Sequence, residues 1–306
     1  MPIRTPKGSL LIIIATLIWG VGYVAKASAN YHIAPLTFNA VRFGIGGIVA
    51  LGPAMFFLMR QKSSPKEEGE NEPISKGKST IAAGVICGLV LCLGINLQQF
   101  GIARTSVANA SFITSLHVII VPVACYVIFR QRAVITVWVS VAVAIVGMYF
   151  LSLSGGFYVN IGDVFIFLCA FGSAAHLILI GRFSPVHSGP VLVCVQFFVV
   201  SIISLVLALI FEAPSMAAIF AAAPYVLYTG VLSSGVAYIL VTKAQKTTDA
   251  AVTSVLCSFE AVVATVAGWF MLSQFLTARE LLGCVLIFIA ILAVQVPVKA
   301  KLKDAP

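Results

Sequence analysis

Residues 249–272 read DAAVTSVLCSFEAVVATVAGWFML, and past Asp249 their only charge is Glu260, near the middle. A helix needs about 20 predominantly apolar residues to cross the hydrocarbon layer of a bilayer. This stretch therefore predicts a transmembrane helix with a carboxyl group at mid-depth. Nine further runs of the same kind lie at 9–28, 35–59, 80–102, 106–129, 134–152, 162–181, 190–211, 222–242 and 278–297. Only Arg104, Thr105 and Ser106 punctuate the third and fourth. The expected fold is an all-α integral membrane protein of ten transmembrane helices.

Composition agrees. Of 306 residues, 60% are apolar and 9% charged, whereas a soluble domain carries about 25% charged residues. So little charge cannot cover a water-facing surface. The net charge of +9 does not point to nucleic acid, because Lys and Arg stand singly or in small clusters with no basic face or binding motif. The seven cysteines lie inside apolar runs and form no C-x-x-C pair. They read as small buried hydrophobes, not a disulfide or zinc framework. The apolar run after Met1–Gly8 is too long for a signal-peptide core and lacks a cleavage pattern, so it reads as a permanent span. No G-x-S-x-G, H-E-x-x-H or Walker A motif is present, and His32, His117, His176 and His187 lack metal-ligand spacing. No cofactor is expected.

Most linkers are short. The longest, Arg60–Ser79, mixes Lys and Glu with Pro and Gly and predicts a mobile, solvated loop. Glu212–Ala223 is expected to lie along the membrane surface. With the N-terminus in the cytoplasm and loops alternating, fifteen of the nineteen Lys and Arg fall on the cytoplasmic side. Lys26, Arg104 and Arg279 fall opposite, and Arg42 falls within a span. That bias obeys the positive-inside rule and predicts cytoplasmic termini and a cytoplasmic 60–79 loop.

A shift of 143 residues lays the fourth and fifth runs on the ninth and tenth. Thr105 falls on Thr248, Ala108 on Ala251, His117 on Glu260, Gln131 on Gln274 and Gly147 on Ala290. The halves, 1–152 and 153–306, then hold five spans each. Five is odd, so the second half enters from the opposite side. Inverted repeats of this kind build many secondary transporters, with the site near the midplane between the halves.

Several short motifs follow one another along these runs: Leu17-Ile18-Trp19-Gly20, Pro35 with Arg42-Phe43, Asn109-Ala110-Ser111-Phe112-Ile113 continuing to Val121-Pro122, Gly162-Asp163, Tyr228-Thr229-Gly230-Val231, and Ser258-Phe259-Glu260. In this order and spacing the chain resembles the EamA-type branch of the drug/metabolite transporter superfamily over residues 9–297. The resemblance implies ten helices in two inverted five-helix repeats. It also implies a place in a bacterial inner (plasma) membrane and movement of amino acids or related metabolites, commonly by export. Two positions depart from the family pattern. Glu260 is followed by Ala261 where the family has proline, which argues against a strongly kinked ninth helix. Gln274 stands where the family often has a glutamate.

An ionisable side chain inside a membrane is costly and is a functional candidate by default. Glu260 leads: it can bind a substrate ammonium or exchange a proton, or else serve as a structural acid. His117 and His176 can bind substrate, relay a proton or simply join helices. Arg42 can attract a carboxylate or pair with a helix end. Lys26, near the end of its span, reads as an interfacial anchor. Asn96, Gln99, Asn109 and Gln196 can complete a polar site, and Trp19, Tyr23 and Tyr238 can wall it. Gly44, Gly46 and Gly47 read as close-packing positions. The expected activity is secondary transport of a small polar metabolite by alternating access, as exporter or else as importer or exchanger. The expected partners are substrate, lipid and protons as candidate coupling ion, with the chain as monomer or homodimer. A channel shares the hydropathy, and a membrane-embedded enzyme would need convergent acid–base groups that are not evident.

Overall fold

The structure, a computed structural model, describes residues 6–63, 77–131, 133–152, 160–272 and 277–295. Among these residues every regular element is helical. They are α1 (Pro6–Ala29), α2 (Pro35–Ser63), α3 (Gly77–Ile102), α4 (Val107–Thr114), α5 (His117–Phe129), α6 (Ile135–Ser152), α7 (Ile161–Phe183) and α8 (Gly189–Phe211). Then come α9 (Met216–Ala221), α10 (Ala223–Leu227), a π-helix (Tyr228–Val236), α11 (Ala237–Ala244), α12 (Ala250–Cys257), α13 (Phe259–Leu272) and α14 (Ala278–Gln295). Helices are the natural outcome, since a chain in lipid must satisfy its backbone hydrogen bonds internally.

Among the described residues, eight spans are long and apolar enough to cross a membrane. They match the first four and the sixth to ninth runs of the sequence. α6 and α14 have 18 residues each, or about 27 Å at 1.5 Å per residue, at the short end of spanning length. Their apolar stretches are Ile135–Phe150 and Leu281–Val294. The helices also run further into the 60–79 segment than expected, to Ser63 and from Gly77; Arg60, Gln61 and Lys62 are good helix formers. Its centre, and Gln274, lie outside the described residues.

Three runs expected as single helices are interrupted. The fourth breaks between α4 and α5, where the Ser115 hydroxyl donates to the Ser111 carbonyl at 2.9 Å. The ninth breaks at Ser258, whose hydroxyl donates to the Val255 carbonyl at 2.7 Å. The missing proline after Glu260 therefore does not leave the ninth run continuous; a serine that competes for backbone carbonyls does the interrupting. The eighth changes from α10 to the π-helix and back to α11. That segment carries Gly230, Ser233, Ser234 and Gly235, residues that favour local departures from α geometry.

Polarity is inside out. Phe56, Leu93, Val127, Ile128, Leu209 and Phe270 are exposed, as a lipid-facing surface requires, while Asn39, Arg42, Gln99, His117, Gln196 and Glu260 are buried. All seven cysteines are free and buried. α2 packs on α8, α6 on α14, α3 on both α7 and α8, and α1 on α13, α11 and the π-helix. Small residues permit these approaches: a Cβ on Gly46 would stand 2.8 Å from the Ser234 Cβ. Glu212 ties the halves together at one end. Its carboxylate accepts from the Leu36 and Thr37 N–H groups at 2.9 and 2.8 Å and from the Thr37 hydroxyl at 2.7 Å, capping the first turn of α2.

Candidate functional site

A cavity opens between α1, α2, α3, α7, the π-helix with α11, and the two broken runs. The breaks help to make it. His117 opens α5 and Glu260 lies in the first turn of α13, so both reach the cavity from helix starts inside the bundle. Thr114 and Cys257, the last residues of the helices before each break, line it too.

Of the residues singled out in the sequence, Glu260, His117, His176, Trp19, Tyr23, Arg42 and Tyr238 line this cavity. Asn96, Gln99, Asn109 and Gln196 do not line it. Asn96 and Gln196 support residues that do. The side-chain amide oxygen of Gln196 accepts from His176 Nε2 at 2.9 Å. Asn39 holds Arg42 through Nε at 2.9 Å and is itself fixed by the Ile95 carbonyl and by Asn96 at 2.9 Å. Asn96 in turn donates to the Cys92 carbonyl and to Ser204. Gln99 ties the end of α1, donating to the Lys26 carbonyl and to Asn30. Asn109 sits in the first turn of α4, where its backbone N–H donates to the capping Ser106 hydroxyl.

Lys26 is the correction. It does not anchor at an interface but is buried and lines the cavity. Its ammonium donates to Gln98 at 2.9 Å, and Gln98 donates to the Tyr23 hydroxyl at 3.1 Å. That hydroxyl lies within reach of the Glu260 carboxyl. A polar chain thus runs from the cation on α1 through α3 to the acid on α13. The ammonium also stands 4.3 Å from the centre of the Tyr23 ring. A lysine near a span's end is ambiguous in sequence; Gln98 and Gln99 at the end of the third run were the available sign of polar company.

The opposite wall is aromatic. Tyr238 packs edge-on against Trp19 at 5.0 Å, Phe197 at 5.2 Å and His176 at 5.8 Å. The Trp19 indole N–H donates to the Ser233 carbonyl at 2.9 Å, tying α1 to the π-helix. Ser233 and Ser234 of the π-helix contribute to the lining. The cavity so joins cations, one carboxyl, two imidazoles and a ring wall, a set suited to holding a small polar molecule with an organic body.

The model of the EamA-like transporter family matches this chain twice, over residues 6–153 and 160–295. An uncharacterized transporter of Archaeoglobus fulgidus is 28% identical over 285 residues, covering 93% of this chain and 84% of that one. The uncharacterized transporter YoaV of Bacillus subtilis is 24% identical over 289 residues, covering 92% and 94%. A solved structure described only as "Crystal structure of protein" superposes with a TM-score of 0.74 at 18% identity over 95% of this chain and 96% of that one, a likeness of fold alone.

Proposed function

The chain belongs to the EamA-like transporter family, and on that premise we propose that it is a secondary carrier moving a small polar metabolite, an amino acid or related compound, out of the cell by alternating access. The observation that carries the proposal is the cavity itself: charged and aromatic groups from both halves of the chain converge within a bundle whose outer surface is apolar. A buried polar site between helices is what a carrier must offer its cargo in place of water. It acts by binding and release and makes no covalent change.

In this reading ten helices form two inverted five-helix repeats, 1–152 and 153–306. The double family match supports it. So does the spacing of the two breaks, since Ser115 and Ser258 are 143 residues apart, the shift that aligns the sequence halves. The main packing pairs also have counterparts when the halves are exchanged. The third span on the sixth matches the eighth on the first, the third on the seventh matches the eighth on the second, and the fourth on the sixth matches the ninth on the first. The second and seventh pack on one another, as do the fifth and tenth. Both termini and the 60–79 loop face the cytoplasm of a bacterial inner membrane, by the Lys/Arg bias; impermeant labelling of a cysteine placed in that loop checks the orientation.

The test is a metabolite screen with purified protein in proteoliposomes, with and without an imposed pH gradient. Saturable, protein-dependent flux of a small polar metabolite is the expected result. Chemical conversion of the metabolite, or flux that never saturates, would contradict the proposal. A flux driven inward by the gradient would make the protein an importer of the same fold.

A further inference from the structure

Arg42 and Lys26 share the cavity, and neither has a carboxylate within ion-pair distance among the described residues. Arg42 is 2% exposed and Lys26 5%. The Arg42 Nε is taken by Asn39 at 2.9 Å, and no protein acceptor binds its two terminal nitrogens among the described residues. The face of its guanidinium rests near Phe43 and Phe38, at 4.7 and 5.2 Å. Lys26 is met by the neutral Gln98 and by the Tyr23 ring. Arg42 and the Glu260 carboxyl are both near enough to Lys26 to act on its charge, Arg42 against it and Glu260 for it.

Arg42 is held deliberately. Its Nε partner, Asn39, is oriented by two acceptors, Asn96 and the Ile95 carbonyl. Such a chain fixes the guanidinium's plane and leaves its terminal edge to the cavity. Two buried cations held by neutral groups are costly inside a membrane. The other titratable groups lining the cavity are Glu260, Tyr23, His117, His176, Tyr238 and Cys257. With the histidines neutral, and Lys26 and Glu260 either both charged or both uncharged, the cavity carries the single net positive charge of Arg42. Either way the complement is an anion. A guanidinium edge matches a carboxylate or similar oxyanion in plane and spacing.

On the carrier reading above, we infer that the cargo carries a carboxylate, or an oxyanion of like geometry, held by Arg42 and Lys26, with its organic body against Trp19, Tyr238 and His176. The site is empty-handed without that group. A neutral amide of the same shape leaves both cations unmatched, and an amine adds a third positive charge.

The test is binding to the purified full-length protein, read by thermal stabilisation and titration calorimetry, with matched probes: 3-phenylpropionate and its amide, N-acetylleucine and its amide, glutarate and glutaramide, and phenethylamine as cation. At least one acid is expected to bind about tenfold or more tightly than its amide, the scale of a lost charge-assisted hydrogen bond. Arg42→Gln is expected to erase that preference, and Lys26→Gln to reduce it. Arg42→Lys, which keeps the charge and loses the fork, should retain part. The wild-type comparison stands even if a variant fails to fold. Equal binding of acid and amide, tighter binding of the amine, an acid preference that survives both Gln variants, or binding by no acid would each overturn the inference. Acid-selective binding without carrier-type flux would remove the carrier reading and leave this one standing; flux of cargo with no acid preference would do the reverse.

Discussion

Glu260 is the residue on which sequence and structure meet most directly. Its charge inside an apolar run marked it, and it lines the cavity beside Tyr23, with Lys26 linked through Gln98. Glu260→Gln keeps the shape and removes the charge. The expected outcome is normal insertion with initial transport rates at least about tenfold lower and a changed pH profile, as befits a group whose ionised form works. A variant with wild-type rate and pH profile would make the acid structural. His117 and His176 were visible for the same reason, as were the aromatic wall residues. Lys26 was misread because depth in the membrane depends on where neighbouring helices begin and end. Asn96 and Gln196, expected as candidates to complete a polar site, hold Arg42 through Asn39 and His176, so they stand behind the cavity lining. Which amide faces inward is decided by helix rotation, and apolar runs with weak periodicity leave rotation open.

At the level of elements, hydropathy located the spans and hid their irregularities. Breaks at Ser115 and Ser258 arise from hydroxyls that bond carbonyls three or four residues back, a signal any serine can give and most do not. The π-helix is likewise unreadable from composition, though its Gly and Ser content permits it. Glu212 is an element-scale device that the sequence did not announce. It fell in a linker expected on the membrane surface, and it closes the first turn of α2 from the start of the segment after α8. Its carboxylate both satisfies free N–H groups and complements the helix macrodipole. Glu212→Ala is expected to lower stability by about 1–2 kcal/mol, as loss of a helix cap does, with a lower apparent Tm for the purified protein. Glu212→Gln should lose less. An unchanged Tm in the alanine variant would show that the cap is idle.

For the whole molecule, the strongest reading lies in the relation between the halves. Among the described residues, eight spans and two shorter apolar helices sit where ten runs were expected, and their main packing pairs have counterparts when the first five are exchanged for the second five. On the carrier reading proposed above, each half can adopt the conformation of the other, which gives two arrangements, one open to each side. A single file of water or ions has no use for that exchange; a carrier depends on it. The most direct test is trans-stimulation in proteoliposomes. Cargo identified by the screen is loaded inside with a label, and its initial efflux is followed with and without unlabelled cargo outside. The account predicts saturable efflux that accelerates when cargo is present on the far side, because a loaded carrier returns faster than an empty one or exchanges its load. Efflux that rises without limit and ignores far-side cargo would contradict alternating access and make the cavity part of a channel.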